Sequence, residues 1–181
     1  MEMPAQYRLL QPMLNFKLVQ LPNDFQSLVQ TYYKRKCRNC NTQPKEQCVC
    51  LLCGETVCFL QKCCTGSLPK MKPMEGELSF HSRMCEGNSA IFICTTKGQI
   101  ILVEEERSCQ KPSPYVNKFG ETFSSHSKKW ENYHLQIQQH PGVKGLNQYD
   151  ELRKIYMNFS LANEIIKDRS SAEVVWRLRA V

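Results

Sequence analysis

The chain of 181 residues has no apolar run that approaches the ~18 residues needed for a membrane-spanning helix. It also shows no internal repeat and no low-complexity tract. Residues 1–8 combine an acidic residue with a broken apolar stretch, which does not match a secretory signal peptide. We therefore expect a protein of the cytoplasm or the nucleus that does not bind membranes.

Sequence motifs of catalysis are missing as well. The chain has no His-x-Glu or His-Glu-x-x-His motif, no Gly-rich phosphate loop and no Gly-x-Ser-x-Gly nucleophile turn. Three of its four histidines stand apart from other chemistry-bearing residues: His126, His134 and His140. The sequence thus predicts no catalytic residue and no organic cofactor.

Cysteine, by contrast, is abundant, with 11 in the chain. An odd number excludes a fully paired disulfide framework within one molecule. In a reducing compartment, such a density indicates metal binding more often than disulfides. Nine of the 11 lie between residues 37 and 85, so this segment is the predicted metal-binding part of the chain.

Two Cys-x2-Cys pairs, Cys37/Cys40 and Cys50/Cys53, open this segment. In each pair a tight turn directs both sulfurs to one point, and two such turns complete a tetrahedron with Zn–S distances of about 2.3 Å. Gly54 follows the second pair and suits a turn with positive φ. The nine residues between the pairs are fewer than zinc ribbons usually have, so interleaving with later ligands stays open beside a shared ion.

A second group of ligands follows. His81 and Cys85 are separated by three residues, which places a nitrogen and a sulfur within reach of one ion. Cys58 and either Cys63 or Cys64 would complete the group. We predict two structural zinc ions with these ligands: Cys37, Cys40, Cys50, Cys53, Cys58, Cys64, His81 and Cys85.

The remaining cysteines have no assigned ion. Cys94 falls in a predicted strand and is expected in the core. Cys109 falls in a polar, proline-bearing connection and is expected to be a free thiol. Cys48 and Cys63 have no predicted role.

The net charge of +7 raises the possibility of nucleic-acid binding. Thiolate ligands would reduce this charge, because zinc binds deprotonated cysteine. Basic residues are scattered apart from one run, residues 34–36 with Arg38, which abuts the first cysteine pair. We expect this run to favour thiolate formation, with phosphate binding as the alternative.

Regular elements are predicted on both sides of the cysteines. A helix begins near residues 21–24, because Phe25, Leu28, Val29 and Tyr32 form one apolar face. Residues 90–95 and 99–104 form a β-hairpin, and residues 114–121 form an aromatic turn. A last helix is predicted over residues 148–167, with an apolar stripe of Leu152, Ile155, Tyr156, Phe159, Ala162, Ile165 and Ile166.

These elements predict a small α+β fold that zinc staples together. Its core at the cysteines and His81 is irregular, because metal replaces apolar packing there. A β-hairpin and flanking helices complete the fold. The expected organisation is an N-terminal helical segment over residues 1–36, a zinc-binding domain over 37–125 and a C-terminal helical segment over 126–181.

The order of several short motifs resembles the C-terminal region of UBR-type N-recognin E3 ubiquitin ligases. The resemblance covers about residues 20–125, with a weaker helical match to about residue 167. One departure is Leu78, which stands where the family usually has a cysteine. The motifs are LPNDF at 21–25 before Cys37, CLLCGETVC at 50–58, the doublet at 63–64, HSRMC at 81–85, AIFI at 90–93 and PYVNKFGE at 114–121.

The resemblance implies a role within a much larger ligase. Such ligases bind destabilising N-termini through a UBR box and recruit a ubiquitin-conjugating enzyme through a RING, and neither module is visible in this chain. The cysteine spacing does not fit a RING, because the only histidine of the cluster comes late. The implied role is architectural or regulatory, with other ligase domains as direct partners. The alternative is a free-standing zinc module that binds nucleic acid or a protein.

Overall fold

A computed structural model describes residues 18–59, 64, 71–72, 75–85, 88–105, 107–122, 135–137, 148–158 and 160–167. Its centre is a five-stranded antiparallel sheet with the strand order β2-β1-β3-β4-β5. The strands of this sheet are β1 Gln47–Cys50, β2 Thr56–Cys58, β3 Ser89–Cys94, β4 Ile100–Glu104 and β5 Arg107–Lys111. The other elements are β6 Tyr115–Val116 paired with β7 Gln136–Ile137, and the helices α1 Phe25–Tyr32, α2 Glu77–Cys85, α3 Gln148–Met157 and α4 Leu161–Lys167.

Alternation along the strands gives the sheet two apolar faces. Helices α1, α3 and α4 pack on one face, which is lined by Val49, Leu51, Ile91, Ile93, Ile100, Leu102 and Cys109. Leu78 of helix α2 packs on the other face, which is lined by Cys48, Cys50, Phe92, Cys94, Ile101 and Val103. The small α+β class is therefore confirmed, with the sheet as the middle of three layers. No helix in the described ranges is long and apolar enough to span a membrane.

Helix α1 confirms the first predicted helix. Asp24 is its N-cap, and the carboxylate accepts hydrogen bonds from the Ser27 backbone N–H and hydroxyl, both at 2.7 Å. These hydrogen bonds lower the pKa of Asp24. Phe25, Leu28 and Tyr32 are buried as the apolar face predicted.

The predicted hairpin is confirmed and is part of a larger sheet. Strands β3 and β4 pair with Ile93 opposite Ile100, and the turn between them contains Gly98 at φ +67°. The other three strands of this sheet were not predicted, and two of them lie inside the cysteine-rich segment. Cys109 lies buried in β5 opposite Leu102, so the expectation that a connection begins there is wrong. The sequence of β5 is polar and lacks the residue types that indicate a strand, and backbone pairing with β4 stabilises it.

The last predicted helix is two helices, α3 and α4. The backbone N–H and the hydroxyl of Ser160 both donate to the Ile155 carbonyl, at 3.0 and 2.9 Å, which ends the first helix. The Ser160 carbonyl then accepts from the Glu164 N–H in the new helix. Ile165 is buried as predicted. The break shifts the apolar stripe, so Leu161 outside the predicted stripe is also buried, whereas Ile166 is 61% exposed, contrary to prediction.

Some predicted features lie outside the described residues. They include Cys63, the isolated histidines, and most of the loop between the ligand groups. The segment limits at residues 36 and 125 stay a prediction.

Candidate metal centres

The two Cys-x2-Cys pairs fold into turns of the same kind. In the first, the Asn41 N–H donates to the Cys37 carbonyl at 2.9 Å, and Asn41 has φ +53°. In the second, the Gly54 N–H donates to the Cys50 carbonyl at 2.8 Å, and Gly54 has φ +78°. Asparagine and glycine are the residue types that adopt this left-handed conformation most readily, so each turn has a suitable residue after its second cysteine.

The first candidate centre consists of Cys37, Cys40, Cys58 and Cys64, whose sulfur atoms all lie within 4.8 Å of one another. The Cys37 and Cys64 sulfurs are 3.8 Å apart, and the Cys40 and Cys58 sulfurs are 3.6 Å apart. Four sulfurs at about 2.3 Å from a tetrahedral zinc ion are separated by about 3.8 Å. The measured separations therefore fit a four-thiolate zinc site.

The second candidate centre consists of Cys50, Cys53, His81 and Cys85, with the same 4.8 Å limit between ligand atoms. The Cys53 sulfur lies 3.3 Å from the His81 Nε2 atom. The His81 ring is buried and meets the Phe92 ring edge-on, with centroids 5.7 Å apart. This packing fixes the imidazole with one nitrogen toward the cysteines, as a metal ligand requires.

The two centres are interleaved along the chain. Cys37 and Cys40 join Cys58 and Cys64, whereas the pair between them in sequence, Cys50 and Cys53, joins helix α2. The predicted second group is therefore divided: Cys58 and Cys64 lie with the first cysteine pair, whereas His81 and Cys85 lie with the second. The first centre therefore brings the segment after α1 close to the end of β2, and the second brings the β1–β2 turn close to α2.

The thiols of each centre differ in their affinity for protons. Hydrogen bonding from Cys50 is the main cause that lowers the pKa of Cys53, to about 3, and His81 adds to it against the effect of burial. Burial alone would raise the pKa of Cys40, but hydrogen bonds from Thr42, Cys64 and Cys58 lower it to about 6. Each centre thus contains one thiol that is readily deprotonated for metal binding.

Other thiols of the centres hold their protons more tightly. The hydrogen bond to Cys53 and burial raise the pKa of Cys50. Burial and the neighbouring Glu77 carboxylate raise the pKa of Cys64 and of Cys37. Metal binding would have to displace these protons, so metal affinity would depend on pH.

Glu77 is a buried residue of the first centre that sequence reasoning missed. Its carboxylate accepts from the Cys58 N–H at 2.8 Å and from the Asn39 side-chain amide at 2.6 Å. The Cys37 thiol lies 3.1 Å from the same carboxylate. Glu77 therefore joins the first cysteine turn to strand β2. The available sequence clue is the spacing of four residues from Glu77 to His81 and again to Cys85, which places all three on one face of α2.

The basic run lies at the surface. Residues 34–36 and Arg38 are exposed. The Arg35 guanidinium stacks on the Tyr32 ring at 4.4 Å from its centroid, and Arg38 pairs with Glu55 at 3.5 Å. Two of the four cations thus have partners within the chain.

A five-stranded sheet with two four-residue Cys/His groups defines a small α+β domain that could hold a metal ion at two places. The family model described as Proteolysis_6 C-terminal matches residues 2–125, and the chain belongs to this family. This is the C-terminal region of UBR-type E3 ubiquitin ligases, as the resemblance predicted.

Three curated relatives illustrate the kinship. The chain is 35% identical over 105 residues to E3 ubiquitin-protein ligase Ubr3 of Drosophila melanogaster, covering 58% of this chain and 4% of that protein. It is 32% identical over 104 residues to human UBR3, covering 58% of this chain and 5% of that protein. It is 32% identical over 112 residues to PRT6 of Arabidopsis thaliana, covering 61% and 5%. The chain thus matches only about one twentieth of the length of these relatives.

Proposed function

We propose that this chain is a zinc-stapled architectural domain of a UBR-type E3 ubiquitin ligase. The observation that carries the proposal is the convergence of the eight predicted ligands into two groups of four. Cysteine and histidine are the donors that zinc prefers, and four protein ligands complete its tetrahedral shell. Two such shells leave no coordination position for a substrate, so the metal would stabilise the fold.

Zinc would act where the apolar core is weakest. Strand β2 is three residues long and lies at the edge of the sheet, next to β1. Cys58 in β2 belongs to the first centre, and the turn before β2 carries Cys53 of the second. Zinc at both centres would therefore hold the edge strand and α2 against the sheet, which short elements do not achieve by themselves.

The relatives are named E3 ubiquitin-protein ligases, and their size indicates that this domain serves a larger assembly. In our proposal it packs against other domains of the ligase. Contact with a ubiquitin-conjugating enzyme and with N-degron substrates is made through those domains, in the cytoplasm or the nucleus. The role is architectural within ubiquitin transfer to the substrate.

A surface suited to such packing is present. Phe119 is 74% exposed in a turn where the Asn117 side-chain oxygen accepts from the N–H groups of Phe119 and Glu121, each at 2.9 Å. These hydrogen bonds hold the backbone of the turn that carries the exposed ring. Exposed aromatic residues on rigid turns are typical anchors of protein interfaces.

A binding experiment tests the proposal. The zinc-loaded chain is mixed with the RING-bearing body of a UBR-type ligase, and the complex is isolated. We expect a stable complex that is lost in Cys85→Ser, which removes a ligand, and kept in Cys109→Ala, which removes a buried thiol outside both centres. If the chain does not bind the ligase body but binds oligonucleotides in a salt-dependent manner, the result would favour the alternative of a free-standing nucleic-acid-binding module.

A further inference from the structure

Two buried cysteines outside both candidate centres lie opposite each other in the sheet. Cys48 in β1 and Cys94 in β3 are partners in the antiparallel register, and neither side chain is exposed to solvent. Both point to the sheet face that α2 covers.

The backbone hydrogen bonds identify the type of pair. The Thr95 N–H donates to the Gln47 carbonyl at 2.9 Å, one residue beyond the pair on each strand. Cys48 and Cys94 are therefore a non-hydrogen-bonded pair, in which the Cα atoms approach to about 4.5 Å and the side chains lie closer than at other positions. Disulfides form at Cα separations of about 4.4–6.8 Å, so no strand has to move far.

We propose that Cys48 and Cys94 form an oxidisable dithiol, which a peroxide converts into a disulfide between β1 and β3. One thiolate attacks the peroxide oxygen, giving a sulfenic acid and water or an alcohol. The second thiol then attacks the sulfenic sulfur and releases water. Two S–H bonds break and one S–S bond forms, while the peroxide accepts the two electrons.

The position of the pair determines when oxidation occurs. Helix α2 covers this face through Leu78, and the same helix carries His81 and Cys85 of the second centre. Access of a peroxide to the buried thiols requires α2 to open. In the zinc-loaded protein the second centre would hold α2 closed, a point that rests on the proposed function.

The disulfide would preserve the scaffold of the second centre. Strand β1 ends at Cys50, two residues after Cys48. A covalent link from Cys48 to Cys94 keeps this strand paired with β3 when zinc has left. The ligands could then reassemble once the protein is reduced and zinc returns.

Peroxide treatment followed by peptide mapping tests the proposal. The full chain is treated with hydrogen peroxide, with and without a zinc chelator, and remaining thiols are alkylated before digestion. We expect a cross-linked peptide joining Cys48 and Cys94 as the main oxidised product of Cys48, formed several times faster after chelation. Zinc is measured in the same samples, so a failure of the zinc proposal is seen separately from a failure of the dithiol.

Two variants complete the design. Cys94→Ala should abolish the cross-link and leave Cys48 open to alkylation. Cys109→Ala, which removes a buried thiol on the opposite face of the sheet, should leave the cross-link unchanged. The proposal is overturned if Cys48 is alkylated in the oxidised wild-type chain or is found linked mainly to another cysteine. Equal rates with and without chelator in a chain that contains zinc would contradict the protective role of α2.

Discussion

Replacing Gly98 by alanine tests how the sheet is joined to helix α1. Gly98 lies in the β3–β4 turn at φ +67°, and its N–H donates to the Cys94 carbonyl at 2.7 Å. A Cβ atom added there would lie 2.6 Å from the Ser113 hydroxyl oxygen and 3.1 Å from Cε2 of Phe25. Both neighbours are buried, so neither can move without disturbing the core.

The expected magnitude has two parts. A non-glycine residue in the left-handed conformation costs about 1–2 kcal/mol. Overpacking of a filled core adds about 1–3 kcal/mol. Ser113 also accepts the Tyr115 N–H at 3.1 Å, so displacing it weakens the link to β6. We expect Gly98→Ala to lower the free energy of unfolding by roughly 2–5 kcal/mol in total.

Gly120→Ala is the matched control. Gly120 has φ +81°, but an added Cβ would have no neighbour within 4 Å, so only the conformational penalty applies. Urea unfolding of the zinc-loaded proteins, followed by circular dichroism, gives both free energies. The packing argument is refuted if Gly98→Ala is no less stable than Gly120→Ala.

Three further predictions concern the candidate centres. Asn41→Gly should leave zinc affinity unchanged, whereas Asn41→Val should weaken it, because a β-branched residue disfavours φ +53°. Competition with a chromophoric chelator measures the affinity of each variant, and equal affinities of the two variants would contradict the turn geometry. Glu77→Ala should lower the free energy of unfolding by about 1–3 kcal/mol, because it leaves the buried Cys58 N–H without its acceptor, and Glu77→Gln should lower it less. Equal losses of the two variants in urea unfolding would contradict the role of Glu77 as that acceptor. Zinc affinity should fall as the pH falls from about 8 to about 6, because Cys37, Cys50 and Cys64 have raised pKa values and must lose protons when zinc binds. Zinc titrations that give the same affinity at every pH in this range would contradict the prediction.

Local patterns in the sequence were sufficient for several elements. The apolar face of α1 and the β3–β4 hairpin have the periodicity of their structures and fold as predicted. The positive φ of Gly54 also follows from its place after a cysteine pair. These features depend on a few neighbouring residues, which is why a single sequence reveals them.

Other features depend on contacts between distant residues. Strand β5 has only Cys109 as an apolar residue, so its pairing with β4 leaves no period-two pattern. The break at Ser160 depends on two hydrogen bonds to one carbonyl, which apolar spacing does not encode. The interleaving of the ligands arises because the sheet places Cys58 near the first cysteine pair, and only tertiary structure determines that arrangement.

The most direct test of the account is the zinc content of the intact protein. Native mass spectrometry of the chain purified without added metal should show two zinc ions per molecule, and Cys40→Ser and Cys53→Ser should each lose one while retaining the other. A strong chelator should lower the melting temperature of the wild-type chain. A protein that contains no stoichiometric zinc, and whose melting curve the chelator does not change, would contradict the account.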